Sequence, residues 1–383
     1  MKPYKIFPSE KKTVKDRVSG AEVTQLTAYL GHSHHSYFTN NGWYDNNRKL
    51  LFTSDRDNAR NLFSIDIESG EISQLTDFQP GMKIMPGFTN DVNHVRNEVY
   101  YSIGKCLYGL SLDTLEQRKL YEAPEGFNQS MGLVGADGRY VYGTLGEDLS
   151  DRIYSNLSAS YVGMRDIFFA EPDSRIVRLD LDTGSVETLW QEKCWIGHVN
   201  PSPVRPELLT FCHEGPWQLV DHRIWCMDVR ECKPWKLRER EVEGEKIGHE
   251  YWHQDGIHVG YQVHRPEGGS RFGVIKFDGT EREEAPCIPF PSPDHIYSND
   301  FNLIVSDSGK AIKLYQRKGT EFDKARVLAM HDGSFFYGSH HPHPRMSADG
   351  RSVLYNSNVS GYCQIYIAEI PEDVSSLPVL EIN

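Results

Sequence analysis

The sequence predicts an all-β protein, a seven-bladed β-propeller, from three observations. One phrase recurs along the chain: a polar turn, an apolar run, a polar gap, a second strand, a turn with Asp or Gly, and a third strand. The copies repeat at a spacing of about 40 to 55 residues, and helical periodicity is almost absent. A single unit cannot bury its apolar faces alone, so the units must stack. An array of β-sandwiches is the alternative architecture.

The clearest copy of the phrase is DNNRKLLFTSDRDNARNLFSIDIESGEISQLT, residues 45–76, which contains three short apolar runs. Six further units follow, at residues 97–121, 135–190, 197–237, 249–286, 296–330 and 346–370. The last unit ends after three strands, whereas SGAEVTQLT at residues 19–27 is almost a copy of SGEISQLT, which closes the first unit. We therefore predict that the N-terminal strand completes the last blade and removes a free sheet edge.

The repeats predict that residues 1–383 form a single propeller domain. One segment does not fit a blade. Residues 148–170, DLSDRIYSNLSASYVGMRDIFFA, are longer than a blade turn requires. We expect this insertion to form a helix or a flap over one face of the propeller.

The charge balance limits the partners of this protein. The 383 residues include 54 acidic and 41 basic side chains, which gives a formal net charge of −13. This excess of acid argues against nucleic acid and anionic membranes as main partners, because both require a surplus of Lys and Arg on one face. An anionic small-molecule ligand must therefore meet a local cluster of positive charge. The sequence does not indicate an oligomeric state.

The N-terminus and the cysteines predict a cytosolic protein. The opening MKPYKIFPSEKKTVKDR lacks the apolar stretch of a secretory signal, and no window approaches the roughly 18 apolar residues of a membrane span. The seven cysteines are scattered and contain no CxxC pair, which argues against both a disulfide framework and a thiolate zinc site.

Histidines cluster at the starts of the units, where residues of different blades converge on one funnel. They are His32, His34 and His35 in GHSHHSYF, His198 in CWIGHVNPSP, His213 in CHEGPW, His249 in GHEYW, His295 in PDHIYSND, and His340, His341 and His343 in HHPHP. His341 and His343 share one side of an extended segment, so two imidazoles can bind one cation. His295 from another blade would make a three-histidine site, for which Mn²⁺, Zn²⁺, Ni²⁺ and Fe²⁺ are all acceptable. A stacked surface pair is the alternative.

Two further residues are candidates for catalysis. A neutral imidazole is a suitable general base, which makes His249 the candidate; a structural histidine bonded to a backbone carbonyl is the alternative. Arg223 offers a planar fork that suits a carboxylate, and its alternative is an ion pair with Asp221 or another acid. The sequence contains no GxSxG elbow, P-loop, GxGxxG or HExxH motif. A non-catalytic, TolB-like binding propeller is the alternative to an enzyme.

A series of motifs runs in order along nearly the whole chain. They are SGAEVTQLT, SHHSYF, CWIGHVNP, CHEGPWQLVDHRIW, GHEYW, DHIYSN and HPHPRMSADGRSVLYNSNVSGYCQIYIAEIPED. In these motifs the chain resembles the oligogalacturonate lyases, seven-bladed propeller pectate lyases of polysaccharide lyase family 22. The resemblance implies an enzyme of intracellular pectin degradation that cleaves short, often unsaturated galacturonides by β-elimination to 4-deoxy-5-keto-uronate. A related lyase for another uronide is the alternative.

The resemblance also implies roles for individual residues. His249 would be the catalytic base, Arg223 the arginine of the catalytic site, and His295, His341 and His343 three ligands of a Mn²⁺ ion. His198 and His213 would be pocket residues that contact substrate oxygens.

One position departs from the family pattern. The fourth ligand in the family is a Gln three residues before the first His of HPH, and that position is Gly338 here. We therefore expect weaker or altered metal selection. His340 points away from His341 in an extended segment, so we do not expect it to replace the missing ligand.

Overall fold

A computed structural model of the protein describes residues 3–82, 91–267, 269–287, 295–335 and 337–379. The described residues form seven antiparallel sheets that follow one another along the chain. The sheets are the blades of a β-propeller, which confirms the predicted fold class. Three-residue 3-10 helices occupy Arg56–Asn58, Gly338–His340 and Val374–Ser376, and one α-helix, α1, occupies Met164–Phe169. Within the described ranges, no helix is long and apolar enough to cross a membrane.

The first three blades are built from β1 and β4–β16. Blade 1 contains β1 (Lys5–Phe7), β4 (Ser33–His34), β5 (Trp43–Tyr44), β6 (Lys49–Ser54), β7 (Asn61–Asp66) and β8 (Ile72–Gln74). Blade 2 contains β9 (Asp91–Asn93), β10 (Glu98–Ile103), β11 (Cys106–Ser111) and β12 (Gln117–Glu122). Blade 3 contains β13 (Phe127–Val134), β14 (Tyr140–Glu147), β15 (Asp173–Asp180) and β16 (Val186–Lys193).

The remaining four blades complete the ring. Blade 4 contains β17 (Ile196–Pro201), β18 (Leu208–His213), β19 (Ile224–Asp228) and β20 (Lys233–Arg238). Blade 5 contains β21 (Lys246–Trp252), β22 (His258–His264), β23 (Ser270–Lys276) and β24 (Glu283–Cys287). Blade 6 contains β25 (Ile296–Tyr297), β26 (Leu303–Ser306), β27 (Ala311–Lys318), β28 (Glu321–Phe322) and β29 (Arg326–Met330). Blade 7 contains β30 (Arg345–Met346), β31 (Ser352–Ser357), β32 (Gln364–Glu369), β3 (Glu22–Gln25) and β2 (Lys12–Lys15).

The N-terminal segment closes the ring, as the sequence predicted. β3 pairs antiparallel with β32, with Val23 opposite Ala368, and β2 covers β3 as the outermost strand. The segment does more than the single predicted strand, because β1 also pairs with the outer strand of blade 1. The chain start therefore ties the first blade to the last, and this contact makes unrolling of the propeller costly.

The hydrophobic core lies between neighbouring blades. In β6, Leu50 and Phe52 pack with residues of blade 7, whereas Leu51 between them packs with residues of blade 2. Successive side chains of a strand point to opposite faces of the sheet, so a continuous apolar run is required where both faces are covered. This requirement explains the unbroken Leu-Leu-Phe run of the first unit. All seven cysteines are free thiols.

Candidate functional site

In each of two inner strands, a bulge places one histidine outside the normal alternation of side chains. The pairing of β17 with β18 shifts between Gly197 and Asn200, and the pairing of β21 with β22 shifts between Gly248 and Tyr251. Such bulges re-aim a side chain. The bulged residues, His198 and His249, have φ of 47° and 51°. This left-handed conformation costs a non-glycine residue about 1–3 kcal/mol and is concentrated at functional sites.

Three other histidines converge beside these two, from blade 6 and from the segment that enters blade 7. His295, His341 and His343 each present a ring nitrogen within 4.8 Å of the others. Their ring centroids are 5.4 Å apart for His295 and His341, and 4.4 Å apart for His295 and His343. All three side chains are buried. The structure thus brings together the three residues that the resemblance implies as metal ligands.

The partners of these rings fit a metal site. Asp307 accepts from the backbone N–H of His295 at 2.7 Å, and its other oxygen lies 2.8 Å from Nδ1 of the same ring. The carbonyl of Phe335 lies 2.8 Å from Nε2 of His341. An acceptor fixes the proton on the nitrogen that it faces, so the other nitrogen keeps a lone pair for a cation. The donor set is therefore correctly prepared for a divalent ion.

Burial and neighbouring charges shift the pKa values of His341, His343 and Asp307 in the directions that metal binding requires. Burial, with a contribution from His295, lowers the pKa of His341 and lowers that of His343 well below its ordinary value. Burial alone would raise the pKa of Asp307, but His295 and its hydrogen bonds hold that pKa below its ordinary value. The neutral rings of His341 and His343 beside an ionised Asp307 are what a metal centre of this type needs.

His249 lies against this cluster. Its ring centroid is 4.7 Å from that of His295 and 4.9 Å from Trp217, and its Nδ1 contacts the side-chain amide of Gln262. Burial, assisted by the charges of His295 and Arg223, holds the pKa of His249 well below its ordinary value. The ring is therefore neutral near pH 7, and a neutral imidazole can accept a proton from a substrate.

Arg223 is held by two carboxylates. Its Nη1 and Nη2 donate to the two oxygens of Glu214 at 2.9 and 3.3 Å, and Nε donates to Glu250 at 3.3 Å. The sequence left open an ion pair with Asp221 or another acid, and the structure shows pairing with Glu214 and Glu250. These bonds use three of the five guanidinium N–H groups, so two remain to meet a ligand.

His198 joins this network, with Nε2 at 3.2 Å from Glu214. Burial opposes ionisation of Glu214, but Arg223 and His198 outweigh it and hold the pKa of Glu214 well below its ordinary value. The described part of the site thus holds three carboxylates and one guanidinium: Glu214 and Glu250 pair with Arg223, whereas Asp307 pairs with His295. The excess of negative charge favours a cation at the three histidines and would repel an anionic sugar without one.

Tyr37 lies between the three clustered histidines and His198, which belongs to the Arg223 network. Its ring centroid is 4.9 Å from His343, 5.9 Å from His198 and 6.0 Å from His295. Burial, with the nearby charge of Glu250, raises the pKa of this phenol well above its ordinary value. The hydroxyl therefore keeps its proton near pH 7.

The insertion at residues 148–170 reaches across the site. It contains α1, and Ala159 forms an isolated bridge with Tyr337. Ser158 accepts from the backbone N–H of Gly338 at 2.8 Å. Phe168 packs so closely on Gly215 that a side chain there would clash with its ring. Both contacts lie beside site residues, and we expect the insertion to restrict access to them.

The structure places His213 elsewhere. Its ring lies 4.7 Å from Trp225, and its Nε2 lies 2.8 Å from Glu192 at the edge of blade 3. These contacts hold the His213 ring outside the group formed by His249 and the three clustered histidines. Sequence reasoning gave no role to Tyr37, Glu214, Glu250, Gln262 or Asp307. Tyr37 had a signal, because it lies two residues after His35 in SHHSYF, whereas Gln262 lies within a strand and Asp307 directly follows one, without any local motif.

A cavity of about 590 Å³ opens at the other end of the central channel. Its wall includes Asn200 and Tyr251, each two residues downstream of a bulged histidine, and Arg345. The candidate site lies where the inner strands begin, and this cavity lies where they end.

Gly338, the position that departs from the family pattern, begins a 3-10 helix and has no side chain to reach a cation. His340 does not join the group formed by His295, His341 and His343. Its ring is stacked 5.0 Å from that of His32, on a second group of histidines.

Comparison with known proteins identifies relatives over the whole chain. A family model described as oligogalacturonate lyase matches residues 1–374. An oligogalacturonide lyase of Pectobacterium atrosepticum is 28% identical over 384 residues, which cover 94% of this chain and 96% of that protein. An oligogalacturonate lyase of Dickeya dadantii is 26% identical, with the same coverage of 94% and 96%. A solved oligogalacturonate lyase in complex with manganese superimposes with a TM-score of 0.86 at 26% identity, covering 98% of this chain and 100% of that one.

Proposed function

Because the chain belongs to the oligogalacturonate lyase family, we propose that it cleaves short galacturonides by β-elimination, releasing 4-deoxy-5-keto-uronate during intracellular pectin breakdown. The observation that carries this proposal is the convergence of three metal-type histidines on a buried, neutral His249. A scaffold propeller has no use for such an arrangement, so we set aside the binding-module alternative.

We propose that His295, His341 and His343 hold a divalent cation, and that the cation is Mn²⁺, as in the similar solved structure. Such a cation supplies Lewis-acid stabilisation of the charge that develops on the uronate carboxylate. Three nitrogen ligands leave coordination positions for oxygen atoms of a ligand.

The reaction removes the proton on C5, forms the C4–C5 double bond and breaks the bond between C4 and the glycosidic oxygen. We assign proton removal to the neutral ring of His249, which lies against the three histidines. Arg223 directs its two remaining N–H groups to the uronate carboxylate, which is most basic when C5 loses its proton.

The leaving oxygen needs a proton from a different group. In a galacturonate chair, the C5–H and C4–O bonds lie on opposite faces of the ring, so the base cannot easily serve both atoms. Tyr37 contacts His295 and His343 and carries a protonated hydroxyl. We assign Tyr37 as the general acid that protonates the glycosidic oxygen.

The Arg223→Lys variant is expected to lose about 10²-fold or more in kcat/KM. Lysine keeps the charge but cannot bond Glu214 and Glu250 and still donate to a carboxylate in the same plane. The measurement is the steady-state rate on digalacturonate, followed by absorbance of the unsaturated or keto product. A rate equal to that of the wild type would contradict the assignment.

The Tyr37→Phe variant is expected to lose about 10²-fold or more in kcat on digalacturonate. In a galacturonate that carries a 4-nitrophenoxy group on C4, this group leaves without protonation. The variant should therefore cleave that substrate at close to the wild-type rate. Tyr161→Phe is the matched control, because this neighbouring phenol comes from the insertion. Equal losses on both substrates would assign Tyr37 to positioning only.

The Gly338→Gln variant is expected to bind Mn²⁺ about ten-fold or more tightly than the wild type, because it adds an amide oxygen close to His341. Titration of the metal-free proteins with Mn²⁺, read by calorimetry, makes the comparison. A wild-type protein that retains one Mn²⁺ per chain through extended dialysis would contradict the predicted weak binding.

Incubation of Mn²⁺-loaded protein with digalacturonate, unsaturated digalacturonate and a panel of other uronides tests the function as a whole. We expect release of 4-deoxy-5-keto-uronate from the galacturonides, detected by mass spectrometry. Turnover of a different uronide alone would replace the substrate, and no turnover of any uronide would overturn the proposal.

A further inference from the structure

A second histidine cluster, consisting of His32, His34 and His340, lies beside the proposed metal centre. Its three rings each present a nitrogen within 4.8 Å of the others. The ring centroids are separated by 5.0 to 5.9 Å, and the planes are within 16° of parallel. His340 directly precedes His341, so the two clusters adjoin along the chain. In spacing alone, the second cluster resembles the first.

The partners of the rings distinguish the two clusters. The backbone N–H of Cys363 donates to Nδ1 of His32 at 3.1 Å. The amide nitrogen of Asn358 lies 3.4 Å from Nδ1 of His340, and its oxygen is fixed by the N–H of Ser334 at 2.7 Å. A nitrogen that faces an N–H donor holds a lone pair, so the proton of each neutral ring is on Nε2.

This proton placement is opposite to that at the metal centre. His295 and His341 face acceptors and keep a lone pair for a cation, whereas His32 and His340 face donors and present N–H groups. A metal ion requires lone pairs, and an oxygen anion requires N–H donors. The second cluster therefore suits an oxygen ligand.

The third ring and its surroundings add features of a sugar-acid site. His34 is only 4% exposed, and its Nδ1 has no hydrogen-bond partner among the described residues, so it can accept from a hydroxyl. Arg60 lies close enough for its charge to act on His34. The rings of Tyr362 and Tyr337 lie 5.3 Å from His32 and 5.5 Å from His340, and both tyrosines are exposed.

We propose that the second histidine cluster is a subsite for the carboxylate of the uronate next to the one that is cleaved. Nε2–H of His32 and His340 donate to the carboxylate oxygens, and the exposed tyrosine rings offer apolar faces to the sugar. The subsite rests on the proposed function, because it specifies which part of an oligogalacturonate the chain binds outside the reaction centre. It also gives a net acidic protein a local means of holding a second negative charge.

A comparison of two ligands tests this subsite. The first is digalacturonate, and the second is its derivative with a methyl ester on the sugar that does not lose its C5 proton. We expect the wild type to show a KM about ten-fold or more higher for the ester. The His32→Phe/His340→Phe variant, which keeps the rings but loses the N–H donors, should treat the two ligands alike. His258→Phe is the matched control, since this histidine pairs with Asp255 and Glu281 on the surface.

The outcomes separate this inference from the function. A wild type that cleaves digalacturonate but binds the ester equally well would overturn the subsite and leave the lyase intact. The same conclusion follows if the double variant still shows a higher KM for the ester than for digalacturonate. No cleavage by the wild type would instead reject the proposed function. Metal analysis of protein held at equilibrium in Mn²⁺-containing buffer should give one bound ion per chain in the wild type and the double variant; two ions, falling to one in the variant, would make the cluster a metal site and overturn the proposal.

Discussion

The His249→Ala variant is expected to lose elimination activity by about 10³-fold or more while it retains its metal. The reason is the position of the neutral ring, whose centroid lies 4.7 Å from that of His295 in the proposed metal site. General bases contribute about 10²–10⁴-fold to proton-transfer reactions, and the C5 proton beside a carboxylate is only weakly acidic. Product release from digalacturonate measures the rate, and elemental analysis measures bound Mn²⁺.

His213→Ala is the matched control for this experiment. Its ring stacks on Trp225 and contacts Glu192, outside the cluster, so the control should cleave at close to the wild-type rate. This control also tests the expectation, drawn from the family resemblance, that His213 contacts substrate. Full activity of His249→Ala would remove His249 from the mechanism, and a large loss in His213→Ala would restore the expected pocket role.

The architecture could be predicted from the sequence because blade strands obey a simple rule. Where both sheet faces are covered, every position is apolar, and the run Leu50, Leu51 and Phe52 shows this directly. The innermost strands of the first three blades, β4, β9 and β13, lie outside the predicted units. β4 and β9 are only two or three residues long, which is too short for any periodicity to be visible.

The site could be predicted in part. Repeated histidines at the starts of the blades indicated a common funnel, and the structure places His295, His341 and His343 together. Hydrogen-bond partners could not be predicted, because they depend on side-chain directions across blades. Arg223 pairs with Glu214 nine residues earlier and with Glu250 in the next blade, and neither spacing has a local signature. The contrast between the two histidine clusters likewise depends on whether a ring faces a donor or an acceptor.

Removal of the metal is expected to weaken substrate binding and to slow the elimination, and the two effects can be measured separately. Without a cation, the described part of the site holds the three carboxylates of Asp307, Glu214 and Glu250 against one guanidinium, that of Arg223, so a uronate meets an excess of negative charge. We therefore expect chelator-treated protein to lose about 10³-fold or more in kcat/KM, because a Lewis acid contributes several kcal/mol to such a reaction. Added Mn²⁺ should restore the rate.

The binding effect can be isolated in the His249→Ala background, where substrate is bound but not consumed. Calorimetry should show weaker digalacturonate binding to the metal-free variant than to its Mn²⁺-loaded form. Asp307→Asn offers an independent route to the same state, since loss of the carboxylate behind His295 should weaken Mn²⁺ binding by about 10 to 100-fold. If metal-free protein turned over digalacturonate at the full rate, charge neutralisation by the three histidines and their ion would have no part in the reaction. If only kcat fell and binding was unchanged, the cation would act on the transition state alone, and Arg223 would be the group that attracts the substrate.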